Sequence, residues 1–522
     1  MKIDAINKIE IKNFKIETSL LVDGLIVGVV AGIVGVIYRF LITFSEKCVH
    51  FIANKLPENY FLALPLMFFL IILAFILGFI IKKEPHASGS GIPQVSAEVT
   101  GRIKTNPVSV LFYKMFGGFL ASIGGLSLGR EGPSIQLGAM SGKIVAKILK
   151  RNVIREKYLL TCGASAGLSV AFNAPLAGVL FSLEEVHKHI SKKLIICCFS
   201  AAVVADVITQ YVFGFGATFN FKEAEKIDFK LYALVILLGV FLGIFGTFYN
   251  VLMKLCYKFY TKLNINIVLR PLVAMFFSLI MFLFFPLVLG SGHGLLEKLI
   301  TYKYSLLFLI LLYFIKTFFS IISFTSGVPG GIFLPILIQG GLLGVIFSTL
   351  VGGEYLITFI ILAMAGYLTA VVRSPLTSII LLFEMTQSIK FFLPIAICVL
   401  CSYYTANALR TKPVYEYLLD RLLLNNNANN LNLDNSEIEI ITTINSDSTL
   451  INKKIKDLSL PKNCLITDIE NNLGQTIPRG NTTLKAGDKL TLIMPKDRVD
   501  EFLEKFGGES DGIWLSTWLL FI

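Results

Sequence analysis

Two charges stand alone in an apolar, glycine-rich stretch, Gly129-Arg130-Glu131-Gly132-Pro133. From Met115 to Leu128 no side chain is charged, and none is again until Lys143. A charge at membrane depth costs several kcal/mol, so it persists mainly where it faces a water-filled pathway or a substrate. Glycine and proline beside it break a helix, which a bilayer tolerates only where the freed backbone lines a cavity. A broken helix that carries a titratable carboxylate is therefore a candidate ion site.

The surrounding chain supports a membrane setting. Of its 522 residues 55% are hydrophobic and only 16% charged. Phe61 to Ile81 is uncharged and long enough to cross the hydrocarbon core. Further spans are expected around Leu21–Phe44, Leu231–Leu252, Leu272–Leu289, Leu306–Phe324, Leu356–Tyr367 and Ile379–Leu400. Several are short or interrupted by Gly and Pro, which is usual in transporters and unusual in simple anchors. The net charge of +12 would suit nucleic acid, but Lys147–Lys157, His187–Lys193 and Arg410–Lys412 flank apolar segments as cytoplasmic loops do. No nucleic-acid partner is expected. Met1–Thr18 mixes charges with isoleucines, lacks a signal-peptide pattern, and reads as a short cytoplasmic amphipathic helix. Eight cysteines are scattered. Cys398 and Cys401 form a CxxC inside an apolar run, where buried thiols are expected in place of a redox or metal pair.

The membrane region repeats itself. Ala174-Pro175-Leu176 leads to Glu184-Glu185, and Ser374-Pro375-Leu376 leads to Glu384 at the same offset. Gly89-Ser90-Gly91 has its echo at Gly290-Ser291-Gly292. The break at 129–133 corresponds to Gly327-Val328-Pro329-Gly330-Gly331-Ile332-Phe333-Leu334-Pro335. A duplicated set of broken helices points to a transporter with its site at the repeat interface. The transport domain is expected over residues 19–424, with repeats at about 19–210 and 225–424. Beyond it come an Asn-rich, flexible linker at 425–435 and a small soluble α+β domain at 436–508. That domain should hold strands at Ile438–Ile444, Leu465–Ile469 and Leu490–Met494. The apolar tail 509–522 contains both tryptophans and is expected to be a peripheral anchor or an artefact of the terminus.

Gly89-Ser90-Gly91-Ile92-Pro93 puts a hydroxyl donor before a helix start, whose amides favour an anion; an ordinary loop is the plain alternative. Gly330 to Pro335 offers bare amides near Phe333, with no carboxylate cage of the kind Ca²⁺ or Na⁺ needs. GSGIP at 89–93, GREGP at 129–133, GGIFLP at 330–335 and KPVY at 412–415 then occur in the order and spacing of the CLC chloride channel and transporter family, which the chain resembles over roughly residues 19–424. The resemblance implies an all-α polytopic membrane fold of two inverted repeats with broken, tilted helices. It implies a homodimer with one ion pathway per subunit. It also implies a dehydrated chloride held by the Ser90 and Tyr415 hydroxyls and the N–H groups of Ile332 and Phe333, with Gly91, Arg130 and Gly132 beside them. Glu131 resembles the gating glutamate. A carboxylate is itself an anion and competes with chloride until protonation removes the competition. A salt bridge between Arg130 and Glu131 is the plain alternative, but neighbours in sequence pair poorly on a helix.

Glu185 matches the internal proton-transfer residue of the exchangers, where several pure channels have an apolar residue; the alternative is a solvated acidic pair with Glu184 at a helix end. A metal site from Glu184, Glu185, His187 and His189 is opposed by Lys188, Lys192 and Lys193, so neither metal nor cofactor is expected. Ser90 and Tyr415 match the chloride form of the family; nitrate-selective members resemble GPGIP, and Gln94 replaces a commoner Glu. Gly163-Ala164-Ser165-Ala166-Gly167 matches a hydrolase elbow, but without a strand–turn–helix setting it reads as helix packing. The soluble end resembles a TrkA-C (RCK C-terminal) regulatory domain at Leu458–Asn463, Thr476–Asn481 and Leu484–Asp488, and an unidentified small-molecule effector is expected there. The function expected is chloride/proton antiport in the cell membrane, by a multi-pass protein with both termini cytoplasmic and no enzymatic role. A passive chloride channel is the alternative, and a membrane hydrolase a remote one.

Overall fold

The computed structural model describes residues 2–188, 190–214, 231–262, 265–353, 355–386, 389–429 and 437–444, and then 448, 450–458, 460–471, 474–476, 478–495, 498, 501–502 and 510–515. The chain divides into two compact units, Met1–Leu423 and Leu424–Ile522.

In the first unit the first repeat supplies α1 (Lys2–Lys55), α2 (Ala63–Lys83), α3 (Ile92–Val99), α4 (Pro107–Ile123), α5 (Glu131–Ile148), α6 (Val153–Phe172), α7 (Pro175–Phe181) and α8 (Lys192–Phe213). The second supplies α9 (Tyr232–Lys262), α10 (Arg270–Phe284), α11 (His293–Thr301), α12 (Leu306–Thr325), α13 (Phe333–Leu350), α14 (Leu356–Val372), α15 (Pro375–Thr386), α16 (Phe392–Ala408) and α17 (Val414–Asn429). Among the described residues six helices are long and apolar enough to cross a membrane. Local chemistry sets many of the boundaries. Asn106, Asn152, Ser191 and Ser305 each accept an amide of the helix that follows. α6 and α14 end at corresponding left-handed residues, Asn173 and Arg373.

The helix expected over residues 1–18 and the first span, which begins at Glu17, form one continuous element. α1 is continuous from Lys2 to Lys55, because no proline precedes Pro57 and a change of polarity alone does not break a helix. The GxSxG segment lies within α6 and is no elbow. Ser165 Oγ donates to the Thr161 carbonyl at 3.2 Å, and Gly163 and Gly167 back onto the Gly138 and Ser134 carbonyls of α5, where no Cβ would fit. Gly24, Gly28 and Gly32 of α1 meet α8 in the same manner, against Cys197, Ala201 and Ala205. All eight cysteines are free, and Cys398 Sγ, buried in α16, donates to the Leu362 carbonyl at 3.5 Å.

The second unit is an antiparallel sheet of β1 (Glu437–Ile444), β2 (Leu465–Asn471), β3 (Gly474–Thr476), β4 (Lys489–Pro495) and β5 (Ser510–Leu515), in the order β3-β2-β4-β1-β5. Its core gathers Ile444, Ile466, Ile469, Leu484, Leu490, Leu492, Met494 and Phe502. Burial pushes the Cys464 thiol up to about 11, so it is unreactive near neutrality. The three strands expected from sequence are present. Two expectations change. α17 runs on to Asn429, so the first residues of the Asn-rich segment are helical. Residues 510–515 of the tail form an edge strand paired with β1; 516–522 lie outside the described residues.

The α5–α6 packing is testable. Gly163→Leu should destabilise the protein by about 1–3 kcal/mol or more, read as a lower melting temperature in detergent. Ser165→Ala, which removes only a local bond, should leave both melting and ion flux unchanged.

Candidate functional site

The site starts from the two broken helices. Gly129 N–H donates to the Gly331 carbonyl and Gly331 N–H to the Gly129 carbonyl, each at 2.7 Å. This reciprocal bridge joins the loops that open α5 and α13, so the amide-rich starts of both helices come together. The Gly-Ser-Gly loops are tied across in the same reciprocal way. Gly89 N–H donates to the Gly327 carbonyl (3.3 Å) and Gly290 N–H to the Gly125 carbonyl (3.1 Å). Gly89 and Gly290 share φ near +65° (63° and 65°), and Gly91 and Gly292 near +94° (91° and 97°), conformations that favour glycine.

A buried lysine clamps each loop. Lys114 Nζ of α4 donates to the Ala87 and Gly89 carbonyls (3.0 and 2.6 Å), and Lys316 Nζ of α12 to the Val288 and Gly290 carbonyls (2.8 and 2.9 Å). Neither lysine was singled out from the sequence. Each is a lone charge in an apolar helix at the repeat offset, and that was the signal to use.

The loops present the expected residues at one place. Ser90 is buried, and its Oγ accepts from the Ile92 amide at 3.3 Å, which leaves the hydroxyl hydrogen free to donate. Gly132 faces it so closely that a Cβ there would lie 2.9 Å from the Ser90 Cβ and 3.3 Å from the Gly331 Cα. Gly91 packs on the Gln136 side chain. Ile332 stands at the N-cap of α13 and Phe333 begins the helix, where amides lack intrahelical partners. The fully buried Glu131 reaches across from α5, and its Oε2 accepts from the Leu334 amide at 3.3 Å; Oε1 has no partner among the described residues. Its carboxylate thus lies at the start of α13. Arg130 turns the other way, its Nη2 donating to the Ala171 carbonyl at 3.3 Å. The side chains of this adjacent pair diverge, and Arg130 brings only its backbone, at the N-cap of α5, to the site.

Tyr415, at the start of α17, is buried with a hydroxyl that has no partner among the described residues. Phe181 stands between it and α13, with ring centroids 6.3 Å from Tyr415 and 5.7 Å from Phe333. Phe181 ends α7, and the chain continues as a π-helical turn, Ser182–His187, a form frequent at functional sites. This turn splits the two acids. Glu184 caps α15, accepting from the Leu376 and Thr377 amides (3.4 and 2.9 Å) and from Thr377 Oγ1 (2.7 Å). Glu185 is buried and accepts from Ser374 Oγ at 3.2 Å. The pair is therefore not a solvated acidic end. Glu384 reciprocates for Glu184, accepting from the Leu176 and Ala177 amides of α7 at 3.0 and 2.8 Å. His187 Nδ1 lies 2.9 Å from Thr161 Oγ1, and His189 is outside the described residues. Among the described residues no group of three metal-ligating side chains converges. Gln94 Nε2 donates to the Ser88 carbonyl at 2.8 Å.

Paired broken helices with hydroxyl and amide donors around a buried carboxylate define a membrane transport protein with an internal anion-type site. Residues 73–407 match the family model described as voltage gated chloride channel, and residues 440–507 match the TrkA-C domain. The chain is 33% identical over 445 residues to the H(+)/Cl(-) exchange transporter ClcA of Vibrio cholerae, which covers 81% of this chain and 93% of that protein. The protein of the same name from Klebsiella pneumoniae is 31% identical over 442 residues, with 80% and 92% covered. Among solved structures, a slow cyanobacterial Cl-/H+ antiporter superposes with a TM-score of 0.74 at 27% identity, over 78% of this chain and 99% of that one. A eukaryotic CLC transporter shares the fold, at a TM-score of 0.64, 21% identity and coverage of 78% and 74%. The chain belongs to the voltage gated chloride channel (CLC) family.

The crossed caps give a prediction. Glu384→Ala strips two amides of α7 of their acceptor and should cost about 0.5–2 kcal/mol, seen as a lower melting temperature. Glu384→Gln keeps one acceptor oxygen and should lose less.

Proposed function

We propose that this protein exchanges chloride for protons across a membrane, and that one carboxylate, Glu131, links the two movements. The observation that carries the reading is the Glu131 carboxylate at the Leu334 amide, beside Ser90 and the start of α13. There an anionic side chain occupies donors that chloride would use. A proton on Glu131 removes the negative charge, weakens its hold on the amide, and leaves Ser90, Ile332, Phe333 and Tyr415 to chloride. Bound chloride in turn repels an ionised carboxylate, so Glu131 stays out of the site while it keeps its proton. Glu185, buried beside Ser374, is the residue that passes protons to this centre from the other side. An apolar side chain at Glu185 would leave a passive chloride channel, and its presence favours exchange.

The relatives named as exchangers and the cyanobacterial antiporter support the same reading. We propose further, from the family resemblance of the sequence motifs alone, that the protein works as a homodimer in the cell membrane with cytoplasmic termini, and that the TrkA-C domain answers a small-molecule effector.

Purified protein in liposomes decides between exchange and passive flow. A chloride gradient should drive protons uphill in the wild type. Glu131→Gln should carry chloride without protons, and Glu185→Val should abolish proton movement while chloride flux persists; a wild type that moves chloride with no protons would make it a channel. Chloride binding by calorimetry should weaken in Tyr415→Ala by roughly five- to thirtyfold, the loss of one or two kcal/mol of hydrogen bonding.

A further inference from the structure

The turn between α5 and α6 has no part in the reading above. Both helices are interior: α5 is buried from Glu131 to Lys143 and α6 from Leu159 to Phe172. Where they emerge, three large apolar side chains stand out, Ile148 and Val153 each 72% exposed and Ile154 65%. Basic residues are interleaved with them, Lys147, Lys150, Arg151, Arg155 and Lys157, against one acid, Glu156. The turn is held in one shape. The Arg151 amide donates to the Ala146 carbonyl at 2.9 Å and the Lys150 amide to the Lys147 carbonyl at 3.1 Å, which closes α5 as a Schellman motif. Asn152 then caps α6, its Oδ1 accepting from the Arg155 amide at 2.9 Å. Lys150 takes the left-handed position of that motif, with φ 50°, where glycine fits without strain. A lysine in so costly a place points to a use for its side chain.

The turn is also fixed in depth. Arg151 Nη2 donates to Asp23 Oδ1 of α1 at 2.6 Å, and Arg155 Nη1 donates to Ser19 Oγ at 3.0 Å and lies 3.7 Å from Asp23 Oδ2. The apolar span of α1 begins at Glu17, and its outward face carries exposed Leu21, Val22, Leu25, Ile26 and Val29. The two arginines therefore tie the turn to the start of a lipid-facing helix, at the level where hydrocarbon gives way to headgroups. One buried carboxylate shared by two guanidinium groups, with Lys147 and Lys150 exposed beside them, leaves the turn positive.

We propose that the α5–α6 turn is a binding site for an anionic phospholipid, whose phosphate meets Lys147 and Lys150 while Ile148, Val153 and Ile154 enter the acyl-chain boundary. Exposed apolar side chains that continue a lipid-facing wall bury their area in the bilayer. Lysines at the same level attract anionic headgroups and gain little from zwitterionic ones. Arg151 and Arg155, neutralised in part by Asp23, hold the turn in place. The site stands at the opposite end of α5 from Glu131, about 25 Å along the helix, and needs no assumption about the gate.

The test is lipid retention by the purified full-length protein in native mass spectrometry, with phosphatidylglycerol and phosphatidylcholine of equal chain length as probes. The wild type should hold phosphatidylglycerol the more tightly. Lys147→Gln combined with Lys150→Gln should weaken phosphatidylglycerol binding by roughly three- to thirtyfold and leave phosphatidylcholine unchanged. Lys150→Gly discriminates further, because glycine suits the left-handed backbone: its melting temperature should hold or rise while phosphatidylglycerol binding falls. Ile148→Ser combined with Val153→Ser should weaken both lipids. Equal retention of the two lipids by the wild type overturns the proposal. So does phosphatidylglycerol binding that is unchanged in both lysine variants, or a loss in them that phosphatidylcholine shares equally. Displacement of phosphatidylglycerol by millimolar inorganic phosphate would make this a site for the free ion and overturn the lipid assignment.

Discussion

The two hydrogen bonds between Gly129 and Gly331 are the constraint on which the rest depends. They hold the starts of α5 and α13 together inside a medium that offers backbone groups no other partners. Glycine suits this approach, since a Cβ at Gly331 would fall 3.0 Å from the Gly129 carbonyl and the Gly132 amide and push both aside. With these ends fixed, the unpaired amides of α13 point into the protein interior, and the Glu131 carboxylate has a place to go. Ser90 follows from the same frame, because its loop is tied to Gly327 and Gly330 just before the bridge.

The same logic explains why buried charge is tolerated. Lys114 and Lys316 each sit on two loop carbonyls, that of Gly89 accepting also from the Gly330 amide, so one ammonium satisfies several groups at once. Lys143, Glu98 and Thr105 form a closed network between α5 and the end of α3: Lys143 meets Glu98 and the Thr105 carbonyl, and Thr105 Oγ1 returns to Glu98. This network steadies the helix that begins just after Ser90.

Most of this frame was legible in the sequence, for a physical reason. Helix breaks in an apolar chain need glycine and proline, and charge there needs a purpose, so Gly89–Pro93, Gly129–Pro133 and Gly330–Pro335 stand out. The direction of a side chain is not legible in that way. Arg130 and Glu131 are equally charged neighbours, yet one turns to α6 and the other to α13. The split of Glu184 from Glu185 depends on a π-helical turn that no residue type announces. Changes of composition do not mark where helices and strands end. α1 crosses from polar to apolar sequence without a break, α17 runs into the asparagines, and residues 510–515 join a sheet whose first strand lies some seventy residues away.

The crossed caps bear on how such a chain is made. The start of α7 is completed by Glu384, 208 residues later than Leu176, and the start of α15 by Glu184. A ribosome that adds about 5–20 residues per second would take roughly 10–40 s to cover that distance. For that interval the first half is in the membrane with the start of α7 uncapped. The nascent protein must therefore wait in a loosely closed state, and chaperoning by the insertion machinery would matter most in that window. Neither half carries the means to finish itself.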